Sequence, residues 1–597
     1  MIRRAVVACI AILVMSGPPA RAAAQTPADS AWERGDMEAA ARLYGSRLAS
    51  DSSDQLALHR MAMIHAWAER YDLSIALFDR LLSIAPEHLE ATLDRARTLA
   101  WRGDPKAAVA AVERIIDAHP NYLPAYRALA QFASWSGDFE VALLAYDRVL
   151  EVTPDDRSIG RDRARMLAWA KRFDQASAAF VRLAAQDPAD LEAVLGLAQV
   201  LGWGGAFDSA EAVYRRVLTQ HPDNIEAKRG LARVLSWSGD LAGAEAAWLA
   251  VLADQPNDVP ALVGLSQTYR WQARPGDAYD MIDRAHRLTP GDRDVQIERE
   301  WTMAALAPHL APAIIYESDS DNNRIRSLVI RGDWHLRPRL NIAAEVLARG
   351  AEAQADPRDF WRAVFTARIH AALGWAFTAG LGVSDNEAAV AVGTVPELRA
   401  EVASPAHLRT AGSLLFRSGS LGATATIIEN AVEIREWAIS GRHEPTRRWN
   451  LLAGMSQASF NGSAPNSRIG GYVGVTHRVG RSWTFGATAL AFGFEEDLND
   501  GYFDPDFYSL LESGARWLKE FGPWVAIAEL APGVQQIGSG GSLKVAARGS
   551  ARIAYLAGPG REIGMSFAFS STGLNSFATG DADYRYRQLI LSGTWAF

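Results

Sequence analysis

The order of apolar and polar residues divides this 597-residue chain into two parts with different periods. Between about residues 28 and 307, small and apolar residues recur at helical spacing inside a longer repeat of fixed length. From residue 308 onward, apolar and polar residues alternate in segments of roughly 9 to 14 residues, separated by glycine, asparagine, aspartate or proline. The first part is therefore predicted to be helical. The second is predicted to consist of strands with one apolar and one polar face.

Two residue types mark the longer period of the first part. Tryptophan recurs at a constant step, at Trp67, Trp101, Trp135, Trp169, Trp203, Trp237 and Trp271. Proline keeps the same step, at Pro86, Pro120, Pro154, Pro188, Pro222, Pro256 and Pro290. Two columns in one register exclude coincidence. Their step is that of the tetratricopeptide repeat, a pair of antiparallel helices, so the prediction is a stack of such helix pairs.

Other columns of the repeat give a physical reason for the pairing. Two columns of small residues let neighbouring helices approach closely, at Ala62, Ala96, Ala130, Ala164, Ala198, Ala232 and Ser266, and at Ser74, Ala108, Ala142, Ala176, Ala210, Ala244 and Ala278. Bulky residues fill the remaining space at Phe78, Val112, Tyr146, Phe180, Tyr214, Trp248 and Ile282. Glycine follows several of the tryptophans, where the first helix must end. We predict a degenerate repeat over residues 25–54, seven repeats over 55–292, and a capping helix with a linker over 293–309.

By resemblance to tetratricopeptide repeats, the first helix of each pair is expected to line a concave groove. The side chains expected there are the seven tryptophans with Arg97, Arg127, Arg161, Arg165, Arg229, Arg233, Gln131, Gln199 and Gln267. Aromatic faces beside guanidinium and amide donors suit sugar rings, or a protein strand. The alternative is that the tryptophans are packing anchors and the arginines form a solvated face.

The alternation of the second part is clearest at the end of the chain. Residues 584–597 read as one strand, with Leu589, Leu591, Gly593, Trp595 and Phe597 on one face and Gln588, Ile590, Ser592, Thr594 and Ala596 on the other. Bacterial outer-membrane barrels commonly end on a phenylalanine that the barrel-assembly machinery reads, so this end resembles theirs. Trp595 and Phe597 are the candidate assembly signal. Because closure leaves no unpaired strand edge in lipid, residues 310–597 are predicted to form an antiparallel transmembrane β-barrel.

The number of strands decides what the barrel interior can hold. The segments predict 16 strands, with 14 as the alternative, and an even number returns the chain to the side from which it entered. Sixteen strands enclose a lumen wide enough for an aqueous channel. Glycine, alanine, serine and arginine on the polar faces favour a hydrated interior. The alternative is a barrel filled by its own side chains.

The segment 1–24 predicts a secretory signal peptide. Arg3 and Arg4 precede an apolar run over residues 5–15, and three alanines at 22–24 fit a cleavage site. Cys9, the one cysteine, lies inside that run, so the mature chain is predicted to lack disulfides and thiolate chemistry. A net charge of −8 without a basic run gives no reason to expect nucleic acid as a partner. The predicted location is the cell outer membrane, with the repeats in the periplasm.

A signal peptide, tetratricopeptide repeats and a C-terminal barrel together resemble the outer-membrane exporters of bacterial exopolysaccharides, the BcsC-like and PgaA-like proteins and the YaiO-type barrels. The segment at residues 501–508, GYFDPDFY, is similar to a Gly-Tyr-aromatic-x-Pro-x-x-aromatic stretch of BcsC-like barrels. This chain has far fewer repeats than BcsC. The resemblance implies a barrel that passes a polymer outward and a periplasmic repeat domain that binds the polymer or its biosynthetic proteins.

Two other functions remain open from the sequence. One is a non-transporting scaffold that holds protein partners at the outer membrane. The other is a barrel enzyme acting on lipid or glycan, although the chain contains neither a P-loop nor a His-Glu-x-x-His pair. No catalytic, cofactor-binding or metal-binding residue is predicted, and the chain is predicted not to be an enzyme.

Overall fold

A computed structural model describes residues 26–353, 356–371, 374–386, 394–405, 408–480, 482–498, 500–572 and 584–597. The predicted signal peptide at 1–24 lies outside these residues. Within them the repeat part contains seventeen helices: α1 Pro27–Glu33, α2 Met37–Ser50, α3 Gln55–Trp67, α4 Tyr71–Ile84, α5 Leu89–Arg102, α6 Pro105–Ala118, α7 Leu123–Ser136, α8 Phe139–Val152, α9 Arg157–Trp169, α10 Phe173–Gln186, α11 Leu191–Gly204, α12 Phe207–Gln220, α13 Ile225–Ser238, α14 Leu241–Asp254, α15 Val259–Trp271, α16 Pro275–Leu288 and α17 Arg293–Leu306.

The turn inside each helix pair has the same backbone conformation along the chain. One residue of this turn has a positive φ in each pair, at Gly35, Glu69, Gly103, Gly137, Lys171, Gly205, Gly239 and Ala273. These positions keep the step of the tryptophan column, so the turn recurs once in each repeat, and it extends back to Gly35. A left-handed residue at this point satisfies the last carbonyls of the helix and reverses the chain.

Three of the repeating columns form the buried core of the repeats. Both columns of small residues and the bulky column have side chains between 0% and 7% exposed. Bulky and small positions also fit each other in pairs. A Cβ built on Gly196 would lie 2.5 Å from the Phe180 ring, and one on Gly264 would lie 2.4 Å from the Trp248 ring. Shape complementarity at this level explains why glycine stands inside two of these helices.

The second part is a closed antiparallel barrel, which confirms the prediction of 16 strands for the residues that the structure describes. The strands are β1 His309–Asp319, β2 Arg324–Arg337, β3 Leu340–Ala353, β4 Asp356–His370, β5 Ala376–Asn386, β6 Val395–Ala403, β7 Thr410–Ser420, β8 Glu433–Thr446, β9 Trp449–Asn461, β10 Pro465–Val479, β11 Trp483–Phe494, β12 Tyr508–Phe521, β13 Trp524–Ile537, β14 Lys544–Gly558, β15 Arg561–Ser570 and β16 Tyr586–Ala596. Each strand pairs with its sequence neighbours, and β1 pairs with β16.

The two ends of the barrel are built differently. The rim where β1 begins and β16 ends, here called the terminal rim, has short turns such as those at 338–339, 447–448 and 522–523. The opposite rim, here called the distal rim, carries longer connections, including 421–432 and 495–507. The first of these contains a short helix, α18, at Ala425–Glu429. At the terminal rim, the Phe597 backbone N–H donates to the Pro308 carbonyl at 3.0 Å, so the chain end meets the start of the barrel.

The outer face of the barrel is apolar. Leucine, isoleucine, valine, methionine and phenylalanine side chains on this face are largely exposed, for example Ile314 at 59% and Leu381 at 66%. Tryptophans stand near the terminal rim with 40–45% exposure, at Trp334, Trp375, Trp449, Trp483, Trp524 and Trp595. A broad apolar band bordered by aromatic rings is the surface that a membrane-spanning barrel presents to lipid.

Compactness divides the chain into two units, one up to Arg216 and one from Val217 onward. The second unit holds the end of α12, helices α13–α17 and the whole barrel. Among the residues that the structure describes, the helices are too short or too polar to cross a bilayer.

Candidate functional site

The predicted groove tryptophans are partly exposed rather than buried. Trp67, Trp135, Trp169 and Trp271 are between 39% and 47% exposed, and the other three are half-buried. Trp67 stacks on Trp32 of the degenerate repeat, with ring centroids 5.1 Å apart. Each ring therefore keeps a free edge or face beside its packing contacts.

Three of the predicted arginines join consecutive repeats. Arg161 donates to Asp190 at 2.7 Å, and Arg127 donates to Asp156 at 2.6 Å. Arg229 makes the same contact with Asp258, with 2.8 Å between its Nε and the carboxylate. In each case the acceptor is the residue that caps the first helix of the next repeat. These guanidinium groups therefore stabilise the stack and are less available to a ligand.

The remaining predicted polar residues are half-buried. Arg165 donates to Asp162 at 2.8 Å, and Arg97 forms an ion pair with Asp94. The other candidates, Arg233, Gln131, Gln199 and Gln267, stay partly accessible on the first helices. The structure thus leaves a mixed surface of indole edges, amides and paired guanidinium groups on the repeats.

Two adjoining cavities lie inside the opening of the barrel at its terminal rim, here called the terminal mouth. The first, of about 630 Å³, is lined by β2–β7 and by Arg270 and Pro275 of the repeats. The second, of about 820 Å³, is lined by β8–β14 and by Ser238, Asp240 and Trp271. Trp271 is thus the predicted groove residue that reaches the barrel interior. We call the two cavities together the vestibule.

The vestibule is strongly charged. Its lining, as far as the structure describes it, includes thirteen arginines and eight carboxylates. Most of these form ion pairs, such as Arg331 with Asp333 at 2.8 Å and Arg442 with Glu444 at 2.7 Å. An interior of this composition holds water, because unpaired or half-paired charges are costly to keep in a dry cavity.

Repeat helices of the second unit are attached to the terminal rim by two carboxylates. Asp240 caps α14 through the Gly243 N–H and contacts Arg447 of the β8–β9 turn at 3.2 Å. Asp277, in the first turn of α16, accepts hydrogen bonds from Arg274 at 2.6 Å and from Arg339 of the β2–β3 turn at 2.5 Å. Burial alone would raise the pKa of Asp277, but these hydrogen bonds lower it below its usual value.

The backbones also meet closely at this attachment. A Cβ on Gly276 would lie 2.8 Å from the Pro338 carbonyl oxygen, so a larger residue would separate α16 from the rim. The repeat turns after α13 and α15 therefore stand over the terminal mouth, and any molecule that approaches from this side passes them before it reaches the lumen.

The distal half of the lumen contains a plug, defined here as residues 421–432 with helix α18. Ile428 of the plug packs against Ile325, Leu347 and Phe360 on the inner faces of β2, β3 and β4. Ile427 packs on the other side, in a cluster with the inner faces of β8, β9 and β11. Because one short helix contacts both walls, it lies inside the barrel rather than above it.

Hydrogen bonds fix the plug to the barrel wall. The Arg349 guanidinium donates to the carbonyls of Gly422 at 3.0 Å and Ala423 at 3.3 Å. Arg358 lies 3.4 Å from Glu429. Ile427 and Ile428 are both 0% exposed, so the plug has a dry apolar core inside an otherwise charged barrel.

The segment GYFDPDFY, singled out from the sequence, covers the plug. Gly501 has a φ of +87°, and a Cβ there would lie 2.6 Å from Thr426 of the plug. The Tyr502 ring stacks on Phe460 at 4.9 Å, inside the cluster that surrounds Ile427. Asp504 accepts a hydrogen bond from the Leu498 N–H at 2.7 Å, and burial raises its pKa to about 6. The motif is therefore part of the closure of the distal end.

The sequence did not point to the vestibule or to the plug. Both depend on which residues of distant strands face one another, and alternation alone assigns a residue to a face but not to a height or a neighbour. One usable signal was present: Arg447 and Arg448 form a basic turn between two strands with hydrophobic alternation. It predicts a basic terminal rim but not its contact with Asp240.

The comparisons with known proteins agree with the repeat part of this description. Residues 68–132 and 204–267 match one family model described as a tetratricopeptide repeat, and residues 170–225 match another. No curated protein sequence matches the chain.

Solved structures resemble parts of the fold at low sequence identity. A tetratricopeptide repeat protein from Parabacteroides merdae is 15% identical, with 42% of this chain and 98% of that chain covered and a TM-score of 0.38. A structure described as a bacterial polysaccharide outer membrane secretin is 12% identical, with 49% and 99% covered and a TM-score of 0.41. Yeast Tom70 is 15% identical, with 50% and 68% covered and a TM-score of 0.38. With the matched repeat models and the closed sheet, this chain consists of tetratricopeptide repeats followed by an antiparallel β-barrel.

Proposed function

We propose that this chain is an outer-membrane porin that exports an exopolysaccharide, and that its repeats form a periplasmic scaffold for the polymer or its biosynthetic proteins. The observation that carries the proposal is the charged vestibule, which opens under the repeat turns that hold Asp240 and Asp277. A polymer that leaves the repeats on this side would reach a hydrated lumen without crossing lipid. The proposal also takes up the architecture that the BcsC-like resemblance implies.

The proposed location follows from the outer face of the barrel and from the start of the chain. Exposed residues such as Ile314 and Leu381 need a hydrocarbon environment, which suits the bacterial outer membrane. The predicted signal peptide would bring the chain across the inner membrane. With β1 and β16 starting and ending at the terminal rim, the repeats would remain in the periplasm and the distal rim would face outward.

Deletion of the chromosomal segment that encodes residues 310–597 tests the export function. We expect secreted polysaccharide to disappear and polymer to accumulate in the periplasm, with recovery when the full chain is supplied in trans. A strain that lacks the barrel but secretes the normal amount of polymer would contradict the proposal. The matched control is a strain expressing the Glu429→Gln variant, because this substitution removes only one partly exposed ion pair, with Arg358, and leaves the rest of the chain unchanged.

The plug favours a second candidate, a non-transporting scaffold that holds periplasmic proteins at the outer membrane. A lumen with a dry apolar core across its distal half does not pass a polymer in this conformation. The two candidates differ in the behaviour of the full chain in planar bilayers. A porin opens at least transiently, whereas a scaffold stays silent but retains specific partners when the full chain is captured from detergent extracts.

A further inference from the structure

The charged groups of the vestibule are not evenly matched. Each of its eight carboxylates, in the part of the chain that the structure describes, has a partner. Seven lie within 4.0 Å of an arginine: Asp240, Asp333, Glu345, Glu401, Glu444, Glu512 and Glu529. The eighth, Glu397, accepts a hydrogen bond from the Ser420 N–H at 3.0 Å. The acidic side of the vestibule is therefore fully engaged.

Three arginines of the vestibule are not engaged in this way. Arg368, Arg478 and Arg516 line the cavities, and among the described residues no carboxylate lies within 4.0 Å of their guanidinium groups. By contrast, Arg548 binds Glu512 through Nε at 2.9 Å and through Nη2 at 2.5 Å. The vestibule thus contains structural arginines, which hold the strands, and free arginines, which leave an excess of positive charge.

The free arginines lie on two facing walls beside uncharged hydrogen-bonding groups. On one wall, Thr484 of β11 pairs in register with Arg478 of β10 and with Arg516 of β12. The two arginine backbones are therefore two strands apart, roughly 10 Å. On the other wall, Arg368 of β4 pairs with Asn341 of β3 and with Thr378 of β5. Since β4 and β11 are seven strands apart in a closed ring of sixteen, the two walls nearly oppose each other.

We infer that the vestibule binds a polysaccharide that carries carboxylate groups, an inference that rests on the proposed export function. Guanidinium forks pair with carboxylates in bidentate geometry, and the threonine and asparagine side chains beside them match sugar hydroxyls. A cationic polymer would meet no unengaged carboxylate on the described walls. A neutral polymer would leave three guanidinium groups without a counter-charge.

The acidic residues of the distal rim do not offset this excess at the mouth. Asp500 accepts from the Ser463 N–H at 3.0 Å, and Asp506 accepts from the Ser539 N–H at 3.1 Å. These carboxylates hold loops on the opposite side of the plug. The positive charge of the vestibule therefore faces the side from which the polymer arrives.

Binding to the full chain in detergent micelles tests the inference, with oligogalacturonate as the probe. Its methyl ester has the same backbone without the charge, and a glucosamine oligomer of similar length carries the opposite charge. We expect oligogalacturonate to bind at least about tenfold more tightly than the ester, because charge-assisted hydrogen bonds are lost with the carboxylates. The preference should weaken as salt is raised.

Variants locate the binding to the vestibule. Arg478→Gln combined with Arg516→Gln should weaken oligogalacturonate binding by at least about tenfold, and Arg368→Gln should weaken it by a smaller factor. The matched control is Arg561→Gln, which removes the same charge from the same rim but from a guanidinium that lies over the outward Trp595 ring at 5.5 Å. Correct folding is checked for each variant by resistance of the barrel to SDS at room temperature.

Equal binding of the acid and its ester, tighter binding of the glucosamine oligomer, absence of binding to all three, or unchanged binding by the double variant would each overturn the inference. Failure of the export function has a different signature. If the strain without residues 310–597 secretes polymer normally, the porin proposal fails. If secretion stops in that strain but the secreted polymer is neutral or cationic, only the inference about carboxylates fails.

Discussion

The two ends of the barrel are opposite in character, although one sheet forms both. The terminal mouth is charged, with short turns and free guanidinium groups such as Arg478. The distal half is filled by the plug, where Ile427 and Ile428 have no solvent exposure. The strands alternate at both ends, but their inner faces carry charged residues near the terminal mouth and apolar residues such as Ile325 and Phe360 where the plug packs. The short turns of the terminal rim leave the lumen beside them unfilled, and one long connection folds into the lumen at the distal rim.

This contrast indicates that the barrel wall and the plug in its lumen are held by different interactions. The wall is held by the continuous ladder of sixteen strands, which closes through β1 and β16 within the residues that the structure describes. The plug is held by apolar contacts and by a few hydrogen bonds, such as those from Arg349. We therefore expect the plug to move or be removed without loss of the barrel.

Removal of the plug should have the largest effect, because it should make the distal end of the barrel as open as the terminal end. Replacing residues 421–432 by a short glycine-serine turn takes away the segment that contacts both walls. We expect the conductance of single barrels in planar bilayers to rise by about tenfold or more, because a sixteen-stranded lumen without a plug is an aqueous channel. Unchanged conductance would mean that the plug does not limit passage. The Glu429→Gln variant removes only the partly exposed ion pair with Arg358, so it should change the conductance far less than removal of the plug.

A charge inside the plug should loosen it without removing it. Ile427→Asp places a carboxylate in the cluster formed with Phe460 and Phe494. Burial of an unpaired charge costs several kcal/mol, about the size of the contacts that hold a short segment. We expect faster amide hydrogen exchange in residues 421–432, while exchange in the barrel strands stays slow. If exchange accelerates equally in the strands, the plug and the wall are one cooperative unit.

The loop that covers the plug should respond to pH through Asp504. Burial raises the pKa of this carboxyl to about 6 from 3.8, and the negative charges of Asp497 and Asp500 act in the same direction. The folded loop therefore prefers the protonated form. That contribution to stability is complete below pH 3.8 and is lost as the pH rises through about 6.

Hydrogen exchange in residues 495–507 measures this response. After correction for intrinsic rates, we expect exchange to be several-fold faster at pH 7.5 than at pH 5, because deprotonated Asp504 is less stable in the folded loop. Asp504→Asn should remove the pH dependence. A pH dependence that persists in this variant would assign it to another group. Asp506→Asn is the matched control, since this aspartate is exposed and its pKa is lowered by hydrogen bonds from Ser539.

A substitution at the attachment of the repeats to the terminal rim should give the smallest effect, because the ion pair there is exposed. Asp277→Asn removes the charge that Arg339 contacts, and the Arg339 side chain is 56% exposed. An ion pair of this exposure contributes about 0.2–1 kcal/mol. We expect trypsin to cleave after Arg339 in the native protein up to a few-fold faster. Asp283→Asn, which breaks an ion pair with Arg287 inside the same helix, should leave that rate unchanged.

The pH dependence of this attachment has the opposite sign from that of the loop. The pKa of Asp277 is lowered in the folded chain, so its contribution is present above the usual value of 3.8 and is lost as the pH falls through the lowered value. Cleavage at Arg339 should therefore be insensitive to pH between about 5 and 8 once the intrinsic activity of trypsin is corrected for. Acceleration within that range would contradict the role assigned to Asp277.

The repeats were largely determined by their own sequence. Each structural requirement recurs once in every repeat, and the contacts that satisfy it lie within one repeat or between adjacent ones. Gly103 and Gly137 provide the left-handed turns that their position predicts, and the column from Phe78 to Ile282 is buried as predicted. The same turn at Glu69, Lys171 and Ala273 shows that packing can impose the conformation where glycine is absent.

The strands could also be predicted from the sequence, because alternation determines which residues lie on the outer face of the barrel. Leu591 and Trp595 lie on the outer face of β16, and Gln588 and Ser592 lie on the inner face, as the pattern at the end of the chain predicts. The count of strands followed from the spacing of the turns. Of the residues proposed to bind a ligand, however, the structure brings only Trp271 of the tryptophan column to the cavities that it describes.

What the tertiary structure alone decided is which distant residues meet inside the barrel. Arg349 and Gly422 are 73 residues apart, and Arg447 lies 207 residues from Asp240. Such contacts have no period, since they depend on the order in which strands close and on how far a connection folds inward. The sequence therefore determined two scaffolds with local rules. The excess of guanidinium groups at one mouth and the dry plug at the other arose only when sixteen strands closed into one ring.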